Sequence, residues 1–71
     1  MKLIEITSSG YLNTYVQVTG QTTVRNMLEQ LDKSPDRYIG HEVVIDKQSC
    51  AFGLDSVVTE KNQHVFLRWR R

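Results

Sequence analysis

The sequence offers Cys50 no second cysteine to pair with, so no internal disulfide can staple this chain of 71 residues. Stability has to come from one modest core, near the smallest size that folds unaided. An unpaired thiol also fits a reducing compartment, and a cytoplasmic setting is the expectation. No apolar run approaches the ~18 residues of a membrane span, and Met1-Lys2 leads directly into "LIEI" where a secretion signal would begin. An excess of one charge is missing too. Nine basic and eight acidic residues leave +1, whereas a domain built to neutralise phosphates carries a large positive balance. Glycine comes only singly, at Gly10, Gly20, Gly40 and Gly53, so there is no phosphate-cradling loop. One cysteine and two scattered histidines do not make a metal-ligand set, and no cofactor is implied. Repeats, low-complexity tracts and linkers are absent, and residues 1–71 read as one domain. What remains is 39% hydrophobic and 24% charged, too apolar for a disordered chain.

Periodicity then sorts the chain into elements. "KLIEIT" (Lys2 to Thr7) alternates with Ile4 and Ile6 on one side, a strand signal. After the "SSG" turn, "YLNTYVQVTG" (Tyr11 to Gly20) alternates again, with Leu12, Val16 and Val18 opposite Tyr11, Asn13, Tyr15 and Gln17. Val24, Met27, Leu28 and Leu31 change the period to helical and form one stripe. Thr22 or Thr23 can cap that helix, and Pro35 should stop it near Lys33. "EVVID" (Glu42 to Asp46) is a third strand, and Lys47 to Gln63 holds a short fourth strand or a helical turn. His64 to Trp69 closes the sheet. One helix stripe buried on one sheet face is a two-layer α+β answer, with first and last strands parallel at the sheet centre.

The order, the length and the closing "HVFLRWRR" resemble the ubiquitin-like β-grasp family, whose members often end on a strand of the type His-aliphatic-aliphatic-Leu-Arg. The resemblance covers almost the whole chain in pattern and the last strand in letters. It implies an α+β β-grasp fold, a mixed four- to five-stranded sheet with one helix on one face. Ubiquitin and similar sulfur carriers end in a Gly-Gly pair that is activated for transfer. This chain closes on Trp69-Arg70-Arg71, so conjugation and sulfur carriage are not expected.

In the closing strand Val65, Leu67 and Trp69 share one parity, while His64, Phe66, Arg68 and Arg70 share the other. The first set belongs under the helix and the second faces water. With Ile4, Ile6, Val43 and Ile45 also inward, Leu3 and Val44 point outward. The resemblance makes the first, last and third strands neighbours, so Leu3, Phe66 and Val44 should form one apolar strip. Glu5, Glu42, His64 and Arg68 should rim it, the usual anatomy of a protein-binding surface. Leu3, Val44, His64, Phe66 and Arg68 are therefore the expected protein-binding residues. Single exposed aliphatic residues are also ordinary, and a slip of one residue at a bulge exchanges the two faces.

No chemistry is legible. Cys50 with His41 or His64 lacks a catalytic context and reads as a structural thiol. Asp32, Asp36 and Asp55 flank turns. The expectation is a non-enzymatic module that binds a larger protein and modulates or scaffolds it. The family resemblance also admits the role of a phage or mobile-element protein that blocks a host machine. The other class is single-stranded nucleic-acid binding through Tyr11, Tyr15, Phe66, Arg68 and Arg70, opposed by Glu5, Glu42 and Asp46 on the same face. A third expectation is homodimerisation through an uncovered edge strand, Tyr11 to Val18.

Overall fold

The chain is described by a computed structural model that covers residues 1–46 and 53–70. Residues 47–52 and Arg71 lie outside the described residues, and so do the expectation of a structural thiol at Cys50 and the first part of the expected strand or turn over Lys47 to Gln63. The described part of that segment holds a strand at Val57–Thr59. The elements are β1 (Lys2–Thr7), β2 (Gly10–Tyr15), β3 (Gln21–Thr23), α1 (Val24–Gln30), a 3₁₀ turn (Pro35–Arg37), β4 (Tyr38–Ile45), β5 (Val57–Thr59) and β6 (His64–Trp69). The fold is α+β. A four-stranded mixed sheet runs β2-β1-β6-β4, and β3 pairs with β5 in a separate two-stranded ladder. β1 and β6 are the central parallel pair, while β1–β2 and β4–β6 are antiparallel. Among the described residues no helix is long and apolar enough to cross a membrane.

The closing segment forms a strand over the expected residues, with Val65 and Leu67 buried and Phe66 half-buried. β2 ends at Tyr15, short of the expected Gly20, and Val16 and Val18 go on to pack against the core as coil. β4 starts at Tyr38, ahead of the expected Glu42. A register shift between Tyr38 and Val43 lets both residues, of opposite parity, face the core.

The helix is short and anchored at both ends. Thr23 Oγ1 accepts from the Asn26 N–H at 3.1 Å, the N-cap expected of the threonine pair. The next orphan donors are met from outside the helix: Val24 N–H donates to Ser56 O and Arg25 N–H to Leu54 O. At the other end Asp32 takes φ 57, with its N–H on Glu29 O and that of Lys33 on Leu28 O, a Schellman turn. Thr23→Ala should cost about 1 kcal/mol, read as a lower urea midpoint at unchanged slope.

One face assignment is reversed. Leu3, expected on the open face, is fully buried in the core with Val24, Met27, Leu28, Tyr38, Val43, Val58, Val65 and Leu67. Ile4 and Ile6, expected inside, are half-buried on the other face. The register leaves no choice. Leu3 lies beside Val65 and Glu5 beside Leu67, and paired residues share a face. Glu5, expected on the polar rim, is therefore buried too.

Candidate protein-docking face and the buried Glu5 cluster

The helix and the core occupy one side of the four-stranded sheet and leave the other open. Three cross-strand rows cover that open face. The middle row runs Asn13–Ile4–Phe66–Val44 across all four strands. Above it run Tyr15–Lys2–His64, and below it Tyr11–Ile6–Arg68. The apolar strip is thus Ile4, Phe66 and Val44, with Ile4 in the position assigned to Leu3. The other four expected binding residues, Val44, His64, Phe66 and Arg68, do share this face.

Polar partners frame the strip. His64 and Phe66 lie with ring centroids 6.2 Å apart at 24°. Lys2 Nζ sits 5.5 Å from the centroid of the Tyr15 ring, and Arg68 Nε is 3.6 Å from a Glu42 carboxylate oxygen. Tyr11 and Tyr15 are 69% and 80% exposed, which makes them the most open large side chains of the face. Sequence parity found these tyrosines but missed Ile4, because nothing local distinguishes Leu3 from Ile4.

Beneath the sheet the chain assembles a polar cluster. The buried Glu5 carboxylate accepts from the Tyr38 hydroxyl, from Trp69 Nε1 at 3.0 Å and from Lys33 Nζ at 3.2 Å. Each donor has a local cause. The Schellman turn delivers Lys33, the bulged start of β4 turns Tyr38 inward, and the inward parity of β6 carries Trp69. Burial alone would push the Glu5 carboxyl up. Hydrogen bonds from Tyr38, Trp69 and Lys33, with the charge of Lys33, outweigh that and hold it below the ordinary carboxylate range. Burial and the neighbouring carboxylate push the Tyr38 phenol far up, so it stays protonated as the donor.

A second carboxylate closes the far end of the sheet. Asp46, at φ 56, accepts from Asn62 Nδ2 at 2.8 Å and from the backbone N–H groups of Gln63 at 2.7 Å and His64 at 2.9 Å. The Asn62 and His64 hydrogen bonds lead in lowering its carboxyl, and they tie the β5–β6 turn to the end of β4. Asp46 is thereby committed to the Asn62 amide and to backbone. Near the other end of β6, Arg70 N–H donates to Arg37 O, Arg70 Nε donates to Tyr38 O, and the Arg37 guanidinium lies 5.2 Å from the Trp69 ring centroid. Arg70 is used in that anchorage and does not join the open-face rows. Among the described residues no three His, Cys, Asp or Glu side chains converge as metal ligands would. Compared with known proteins, the chain matches no family model, no curated protein and no solved structure.

Proposed function

We propose that this chain is a ubiquitin-like β-grasp domain that docks a larger protein through its open sheet face and modulates or scaffolds it without chemistry of its own. The β-grasp assignment draws support from the strand order β2-β1-β6-β4, a parallel central pair and, among the described residues, one α-helix in the connection between them. The observation that carries the docking reading is the Ile4–Phe66–Val44 row, apolar across three neighbouring strands and framed by Lys2, His64, Arg68 and Glu42. An apolar centre with a charged frame lets a partner expel water from the middle while the rim fixes register. A cytoplasmic setting goes with the unpaired Cys50, and the role of a phage or mobile-element inhibitor of a host machine stays within this reading.

The test is co-purification from the native host, comparing the wild-type chain with Phe66→Ala/Val44→Ala and with Val57→Ser, a substitution in β5 away from the face. The double variant should lose the wild-type partner by at least about tenfold, as truncating a central anchor does. Val57→Ser should retain it, and circular dichroism should show both variants folded. Equal recovery with the folded double variant rejects this face.

One finding favours the second class, single-stranded nucleic acid. Glu5, the nearest acid to the middle of the face by sequence, lies beneath the sheet and is neutralised by Lys33, so it repels nothing there. Tyr11, Tyr15 and Phe66 remain as stacking surfaces beside Lys2 and Arg68. Protein docking is preferred because aliphatic Ile4 and Val44 flank Phe66 at the centre of the face and Arg68 faces Glu42. Retention on immobilised single strands that falls steeply with salt would reverse that preference.

A further inference from the structure

The four-stranded sheet has two edges, and the chain treats them differently. The β4 edge carries a bulge and the exposed, charged Glu42, features that keep an edge from pairing with another chain. The β2 edge carries neither. From Ile6 to Val24 the sequence holds no charged residue and no proline, in a chain that is 24% charged overall. β2 lies inside that run and, among the described residues, pairs only with β1. It also displays Tyr11, Leu12 and Tyr15 at 69%, 48% and 80% exposure.

We infer that β2 is a self-pairing edge, which joins a second copy of this chain antiparallel, β2 to β2, into one continuous sheet. Absence of charge selects this occupant. Across a twofold axis the central residue meets its own copy and the flanking residues meet other residues of the same strand, so a lysine or glutamate on the axis would face a like charge. An uncharged strand is the one that can oppose itself.

Symmetry also sets the register. A twofold axis relating antiparallel neighbours stands perpendicular to the sheet and preserves its faces. Opposed residues share a face, so their numbers must differ by an even amount, and one residue sits on the axis. Centring on Asn13 sets Tyr11 against Tyr15 of the second copy and Leu12 against its Thr14. Both exposed tyrosines then gain an aromatic cross-strand neighbour on the open face. Centring on Leu12 leaves Tyr15 with no partner in the strand. Asn13 is therefore the central residue. Both helices fall on one side of the joined sheet, and the two Ile4–Phe66–Val44 rows lie on the other. The pairing uses none of those three residues, so it stands or falls apart from the docking proposal.

Sedimentation velocity across the micromolar range should show a monomer–dimer equilibrium for the wild-type chain. Leu12→Lys/Asn13→Lys places like charges at the axis and should raise the dimer dissociation constant at least about tenfold while the circular dichroism spectrum stays that of the wild type. In a Cys50→Ser background, Asn13→Cys should cross-link into a covalent dimer under mild oxidation. A self-opposed pair places its Cα atoms about 4.5–5.5 Å apart, within disulfide reach. A wild-type chain that stays monomeric at every concentration overturns the inference. So does a dimer that survives the double lysine substitution, or one in which Asn13→Cys fails to cross-link.

Discussion

Leu3→Ala should destabilise the domain by about 3 kcal/mol, while the neighbouring Ile4→Ala should cost about 1 kcal/mol. The difference follows from the register of β1 on β6. Leu3 stands beside Val65 inside the core and is fully buried, and truncating it leaves a cavity among Val24, Met27, Leu28 and Val43. Ile4 stands beside Phe66 on the half-open face, where water fills the vacated space. A domain of this length has a total stability of roughly 4–11 kcal/mol, so Leu3→Ala removes a large part of it. In a thermal melt this appears as a fall in Tm of roughly 10–20 °C, against a few degrees for Ile4→Ala. Equal losses, or a greater loss at Ile4, would mean that β1 presents its other face to the core.

Glu5→Leu should be at least as damaging, at roughly 3–5 kcal/mol near neutral pH, because three donors are left facing an apolar side chain. Tyr38 is fully buried and has no other acceptor for its hydroxyl among the hydrogen bonds of the described residues. Trp69 Nε1, only partly buried, likewise has no other acceptor among those hydrogen bonds, whereas Lys33, partly exposed, can turn to water. Glu5→Gln keeps the shape but loses the charge, and should cost less, about 2 kcal/mol.

The pH dependence separates this cluster from mere packing. The folded-state carboxyl of Glu5 titrates below its unfolded value of ~4.3, so the unfolded chain takes up its proton first as pH falls. The stabilisation is complete above about pH 5 and is lost progressively as the pH drops through the folded-state value. Asp46, lowered by Asn62 and by backbone donors, adds a loss of the same sign. Urea unfolding of wild type and Glu5→Gln at about pH 7 and again at about pH 3 should give a stability gap that narrows in acid. A gap of constant size at both pH values would show that the charge of Glu5 contributes nothing.

Local pattern carried the element types far. The hairpin, the helix stripe of Val24, Met27 and Leu28 and the β6 alternation are read from neighbours two, three or four residues away, and the structure has all three. The faces of β4 and β6 were also legible, because Val43 and Ile45, and Val65 and Leu67, each oppose a mixed set. β1 was not legible. Its residues Leu3, Ile4 and Ile6 are all aliphatic, while Lys2 and Glu5 put a charge on each parity, and the general rule sends both charges to water. At Glu5 that rule is overridden by donors from distant parts of the chain: Lys33 after the helix, Tyr38 in β4 and Trp69 in β6. The candidate face inherited the same limit, with Val44, His64, Phe66 and Arg68 correctly grouped and Leu3 standing where Ile4 belongs.

By itself, then, the sequence determined the first hairpin, the helix, the closing strand and which side of β4 and β6 meets the core, since these depend on spacing within a few residues. The short β3–β5 ladder and the early start of β4 it did not determine. The tertiary structure alone decided which way β1 faces and where its carboxylate goes. The reason is physical: a buried charge is tolerable only where separate segments converge to hydrogen-bond it, and convergence is a property of the folded chain.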